Sequence, residues 1–130
     1  MVDKDPIAQW TFGRVTLLGD AAHPMYPRGS NGSAQAIIDG RVLATEFAGA
    51  NGDLPGALLR YEAQRRPVTS KIVLTNRSTP PDFIIMKADE LSDGKSFGHI
   101  DDLISQGELR KISENYAQIA GFSRDALKSA

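Results

Sequence analysis

Cysteine is absent from this sequence. Its absence rules out disulfides, thiolate metal sites and a cysteine nucleophile, and it fits a reducing compartment. Long apolar runs are missing too: nothing approaches the ~20 residues that cross a bilayer as a helix. The opening "MVDKDPIAQW" is acidic and broken by Pro6, unlike a secretory leader, so the cytoplasm is the expected location. Neither sign of charge dominates. A formal net charge of -1 supplies no electrostatic case for nucleic acid or an anionic membrane surface. The short basic run "QRRP" at residues 64–67 is expected on a solvated helix face. There is no internal repeat and no low-complexity tract. No G-x-G-x-x-G, G-x-x-x-x-G-K-[ST] or H-E-x-x-H occurs, so the chain has no dinucleotide, P-loop or zinc-protease fingerprint of its own.

What is present is concentrated in residues 14–40, "RVTLLGDAAHPMYPRGSNGSAQAIIDG". Residues 14–18 are apolar and β-branched, bounded by Gly13 and Gly19, and predict a short buried strand of parallel type. Residues 19–30 hold Pro24, Pro27 and Gly29 and predict a loop. A helix is expected to begin near residues 31–33, with Ala34, Ile37, Ile38, Val42 and Phe47 at roughly helical spacing, and "GANGD" at residues 49–53 stops it. A further helix should open at Asp53, with Pro55 in its first turn and Leu58, Tyr61, Val68 and Ile72 on one side. Pro67 predicts a kink or break near Arg66. Pro80 and Pro81 end that region. Residues 82–91 predict a short strand or extended segment. Ser105 and Glu108 match a capping box for a last helix carrying Leu109, Ile112, Tyr116 and Ile119, closed by Gly121. One strand cannot make a sheet: either the ambiguous segments supply its partners or the partners are absent from this chain, and element counting alone gives this first sign of an incomplete fold.

Two chemical features stand out. Asp20 follows the strand where open α/β sheets place ligands; it either accepts hydrogen bonds from sugar hydroxyls or caps its own turn. The helix start beyond it presents N–H groups and the positive end of a dipole, which suits an anionic group as well as an ordinary cap at Ser30 or Asn31. Gly29 and Gly32 allow a bulky ligand close to the backbone. His23 lacks a visible third partner and is read as a hydrogen-bonding scaffold residue rather than a base. His99, Asp101 and Asp102 are read as a solvated turn, not a metal site.

The stretch "GRVTLLGDAAHPMYPRGSNGSAQAIIDGRVLA" strongly resembles the second FAD-binding (Gly-Asp) motif of the single-component flavoprotein aromatic hydroxylases, the relatives of para-hydroxybenzoate hydroxylase. "HPMYPRGSNG" is most similar to the branch containing phenazine and salicylate hydroxylase-like monooxygenases. The resemblance covers residues 6–77, and the tail beyond residue 80 resembles only some members. It implies a mixed α/β, mainly helical fragment: the C-terminal portion of an FAD/NAD(P)-binding, Rossmann-like hydroxylase fold. Residues 1–78 would complete the FAD-binding domain and residues 79–130 would form a helical extension.

The resemblance further implies FAD as cofactor, NAD(P)H as reductant, and an aromatic small molecule hydroxylated with O₂. Asp20 would accept a hydrogen bond from a ribityl hydroxyl, and Pro27 would lie beside the flavin ring. Gly29, Asn31, Gly32, Ser33 and Ala34 would run along the pyrimidine edge, with the N–H groups of the last three as donors to N1–C2=O. Full-length members should be about three times as long, on the usual multi-domain scale. The chain is therefore expected to bind FAD weakly or not at all alone, to be inactive as a hydroxylase, and to oligomerise if folded by itself. The rival readings are a stand-alone, non-catalytic helical interaction module that kept a relic flavin motif, and a hydrolase using His23 and Asp20.

Overall fold

The computed structural model describes residues 4–27, 31–78 and 82–121. Its elements are β1 (Thr11–Phe12), β2 (Val15–Thr16), a 3-10 turn (Gly19–Ala21), α1 (Gly32–Ala48), α2 (Leu54–Ser78), α3 (Phe83–Ser92), a second 3-10 turn (Ile100–Asp102) and α4 (Gln106–Ile119). They fall into two compact units, Met1–Ser78 and Thr79–Ala130. The described chain is mainly helical. No helix among the described residues is long and apolar enough to cross a membrane.

The expected buried parallel strand at residues 14–18 is not what forms. Val15–Thr16 pairs antiparallel with Thr11–Phe12, in the register Thr11↔Thr16 and Phe12↔Val15. The reason is Gly13, whose φ of +62° takes the first position of a two-residue reverse turn that only glycine enters cheaply. The chain therefore folds back before a longer strand can run. Val15 ends 64% exposed, while Thr11 turns inward, its N–H donating to Glu62 Oε2 at 2.8 Å.

The core of the first unit is small and aromatic. Trp10, Ala22 and Tyr61 are buried, with Ile7, Leu17, Val42 and Leu43 packed around them. The Trp10 and Tyr61 rings sit 5.9 Å apart and tilted, a favourable aromatic arrangement. The Tyr61 hydroxyl donates to the Leu17 carbonyl at 3.2 Å. Burial, followed by the nearby Asp39 charge, pushes the Tyr61 phenol well above its usual range.

Helix α1 begins and ends close to where the sequence places it, but its inner face differs in part. Ile37 is 74% exposed, whereas Gln35 and Asp39 are buried. Val42 packs against the core and Ala34 and Ile38 are half-buried, as the spacing suggests, but Ile37 and Phe47 are left out because the helix is also docked through the polar bonds of Gln35 and Asp39. Helix α2 starts as expected: Asp53 Oδ1 accepts from the Gly56 N–H at 3.0 Å, an N-cap bond. It is not broken at Pro67 but runs continuously to Ser78. Buried anchors stand on both sides of the proline (Tyr61 and Arg65 before it, Thr69, Ile72 and Val73 after it), and the Thr69 hydroxyl bonds back to the Arg65 carbonyl at 3.1 Å. Those contacts keep the chain helical past one missing N–H donor. Val68 lies outside the buried face.

In the second unit, residues 82–91 are helical rather than extended. The apolar start "FIIM" is too short for periodicity to decide, and the Lys87–Leu91 segment consists largely of good helix formers. The helix stops at Asp93 and Gly94, both left-handed, with φ of +56° and +68°. The last helix matches its expectation. Ser105 and Glu108 form the reciprocal capping box, and Gly121 beyond it has a φ of +77°. Pro80 and Pro81, expected to end the preceding region, lie outside the described residues.

Candidate functional site

The site is built around the turn that follows β2. Gly19 adopts a φ of +60°, and a Cβ added to it would stand 3.2 Å from the Ala36 Cβ on α1. Both the turn and the close helix approach therefore require glycine. The Ala22 and His23 N–H groups both donate to the Gly19 carbonyl at 2.9 Å, which winds the chain tightly around Asp20. Asp20 itself is exposed. Its carboxylate points toward the start of α1: a Cβ on Gly32 would lie 3.8 Å from Asp20 Oδ1 and 3.9 Å from the Met25 side chain.

Asn31 is the residue before α1, deeply buried, and it does not cap the helix through its side chain. The first N–H to bond back into the helix is that of Gln35, to the Asn31 carbonyl at 3.0 Å. The N–H groups of Gly32, Ser33 and Ala34 precede it and have no acceptor within the helix. Ser33 is exposed and Ala34 half-buried, and Pro27 is exposed at the end of the preceding loop. Gly29 and Ser30 lie outside the described residues. The structure thus brings Asp20 next to Gly32.

Beneath this surface lies a cluster that the sequence did not reveal. Asp39, fully buried on α1, accepts from three groups. Its Oδ2 takes the Gly19 N–H at 3.1 Å and His23 Nε2 at 2.6 Å, and its Oδ1 takes Arg65 Nε at 2.7 Å. Arg65 also donates to Gln35 Oε1 at 2.6 Å. All four side chains are at least nine-tenths buried. Burial alone would raise the Asp39 carboxyl. The hydrogen bonds from His23 and Arg65, the charge of His23 and the Gly19 N–H outweigh it and hold Asp39 below its ordinary 3.8.

Arg65 therefore does not lie on a solvated face, as "QRRP" suggested; it is the counter-ion of a buried acid. His23 is the scaffold residue expected of it, with Asp39 as its partner. The available signal was an acid embedded in "AIIDG", four residues after Gln35, where helical spacing sets the two one turn apart. His99, Asp101 and Asp102 form a capped turn: the His99 N–H donates to Asp102 Oδ2 at 3.0 Å and its Nδ1 accepts from the Asp101 N–H at 3.3 Å. Among the described residues no group of His, Asp and Glu is disposed to hold a metal ion.

Comparison with known proteins bears on what this arrangement serves. The FAD binding domain family matches residues 2–76, which include the hairpin, the Gly19–Asp20 turn, α1 and nearly all of α2. A phenazine 1,6-dicarboxylic acid hydroxylase of Lysobacter antibioticus is 60% identical over 77 residues, covering 59% of this chain and 19% of the relative. A 3-hydroxybenzoate 6-hydroxylase of Polaromonas naphthalenivorans is 45% identical over 75 residues, covering 58% and 19%. An aurachin C monooxygenase/isomerase of Stigmatella aurantiaca is 51% identical over 63 residues, covering 48% and 16%. The chain thus spans about a fifth of the length of the curated relatives it matches. On the match over residues 2–76, the chain belongs to the FAD binding domain family, and it is similar there to hydroxylases of phenazine and hydroxybenzoate compounds.

Proposed function

We propose that Asp20 and the start of α1 form the ribityl and pyrimidine side of an FAD site in a monooxygenase that hydroxylates an aromatic substrate with NAD(P)H and O₂. The observation that carries this is the placement of Asp20 beside Gly32. Among the described residues a Cβ there would meet nothing nearer than 3.8 Å, so the glycine leaves space that their packing does not need. An exposed carboxylate beside that space accepts hydrogen bonds from a polyol chain. The N–H groups of Gly32, Ser33 and Ala34 donate toward an electron-rich carbonyl edge, and the helix dipole favours negative charge there. Pro27 and Gly29 complete the proposed contacts, Pro27 stiffening the loop and Gly29 admitting the ring, while Asn31, buried before α1, backs the helix start. Bound there, the flavin supplies the electron transfer and oxygen chemistry; this chain orients it.

The aromatic substrate rests on the names of the relatives. With no dinucleotide fingerprint of its own, the chain by itself should hold FAD weakly and not hydroxylate. The test mixes this chain with the Lysobacter hydroxylase lacking its matched stretch, together with FAD and NADH. The mixture should retain flavin through gel filtration and oxidise NADH, and Asp20→Ala should weaken flavin retention about tenfold, the worth of one charge-assisted hydrogen bond. Retention of no flavin, or equal retention by Asp20→Ala, overturns the reading. The rival, a non-catalytic helical interaction module, is favoured by α3, where Ile85 is 71% and Met86 55% exposed. Under it, Asp20→Ala is silent in the same mixture.

A further inference from the structure

Asp20 is exposed, and among the described residues none at the surface holds it. What fixes it lies behind. A single oxygen of Asp39, Oδ2, receives the N–H of Gly19 at 3.1 Å and the Nε2–H of His23 at 2.6 Å. These residues bracket Asp20, one before it and one three positions after it. They are also tied to each other by the bond from the His23 N–H to the Gly19 carbonyl at 2.9 Å. The turn carrying Asp20 is therefore closed into a ring through a buried acid on α1, the helix whose N-terminus is the other half of the proposed flavin contact.

Stability does not account for an acid at this place. Asp39 is fully buried and pairs with Arg65 at 2.7 Å, and such pairs are often replaced by well-packed apolar residues at no cost. An apolar residue, however, offers no acceptor to Gly19 or His23. We infer that Asp39 is a positioning residue of the flavin site: it pins Gly19 and His23 so that the Asp20 carboxylate is presented to the ribityl hydroxyls beside Gly32, with Arg65 neutralising its charge. This rests on the reading of Asp20 given above.

The test compares riboflavin with lumiflavin, which has the same ring system but no ribityl hydroxyls. Binding to the full chain is followed by amide chemical-shift perturbation, which reads weak affinities. The wild type should prefer riboflavin about tenfold, and Asp20→Asn should lose that preference. If the wild type binds neither flavin or treats them alike, the reading of Asp20 falls and this inference with it.

Given the wild-type preference, Asp39→Leu combined with Arg65→Met should abolish it while leaving lumiflavin binding unchanged, and should speed exchange of the Gly19 amide. Asp39→Asn with Arg65→Met, whose amide oxygen can accept from both the Gly19 N–H and the His23 Nε2–H, should restore it. Glu62→Gln, in the separate buried bond to Thr11, should lower stability without changing the flavin preference. An intact preference in the Leu/Met variant, or equal loss in the Asn/Met variant, overturns the inference. If the Leu/Met variant does not fold, Asp39→Ala with Arg65→Met is read the same way.

Discussion

Helices α1 and α4 are of similar length, 17 and 14 residues, but are held by different means. Helix α4 has its start fixed by a side-chain capping box within four residues of sequence, and it buries none of its residues fully. Helix α1 has no side-chain cap at its start, and the residues it buries are Gln35 and Asp39. Their partners lie 16 to 30 residues away in sequence. The first arrangement is local and can be read from a four-residue pattern. The second exists only once the loop at His23 and the helix at Arg65 have come together.

The most severe way to break the α1 arrangement is Arg65→Met. It leaves a buried carboxylate with one counter-ion fewer and should cost about 3–5 kcal/mol, a large share of a small domain's stability, read as a lowered denaturant midpoint. Adding Asp39→Asn should recover at least half, because the unpaired charge is then gone. The pH dependence follows from the depressed Asp39 carboxyl. Its stabilising contribution is complete above the ordinary value of 3.8 and is lost as pH falls through the lower folded value. Arg65 acts on the ionised form only, so the gap between Arg65→Met and wild type should narrow on acidification. A gap constant down to pH 3 would mean that Arg65 contributes by packing and by its bond to Gln35 rather than through the Asp39 charge.

Next in size is Gly19→Ala. A left-handed non-glycine residue costs about 1–2 kcal/mol, and the added Cβ would crowd Ala36 at 3.2 Å. In a double-mutant cycle with Ala36→Gly, the crowding share should be recovered and the backbone share should remain. Zero coupling would show that the turn and α1 do not press on one another.

The same contrast explains what the sequence made legible. The Gly-Asp turn, the limits of α1, the Asp53 cap and the Ser105–Glu108 box are set by residues close in sequence, and all were readable. So was the family, because the motif is contiguous. The antiparallel pairing at Val15 was not, since it depends on how Gly13 turns, and neither was the helix at residues 83–92, whose apolar start suits either state. The Asp39–Arg65 pair was hidden for another reason. Apolar periodicity marks what water rejects, and a charged residue buried by its partners leaves no mark in that pattern. Ile37 misled in the opposite sense, being apolar and 74% exposed.

The smallest effect belongs to α4, and there the comparison is sharpest. Ser105→Ala removes the acceptor that the Glu108 N–H uses at 3.3 Å and should cost about 1 kcal/mol. The loss should be confined to the first turn, raising hydrogen exchange at Glu108 and Leu109 about fivefold, with residues 4–78 unchanged. The Ser105 hydroxyl and N–H, joined by Lys87, hold the Glu108 carboxyl below its ordinary 4.5. That stabilisation is complete above 4.5 and is lost as pH falls through the lower folded value. The gap between wild type and Ser105→Ala should therefore narrow in acid by the share of the Ser105 hydroxyl's bond to Glu108 Oε2 at 3.1 Å, while the share of the Glu108 N–H bond remains. Such narrowing at Glu108, within one turn of helix, and narrowing between Arg65→Met and wild type, across two helices, would be the same linkage acting through a local and a long-range bond.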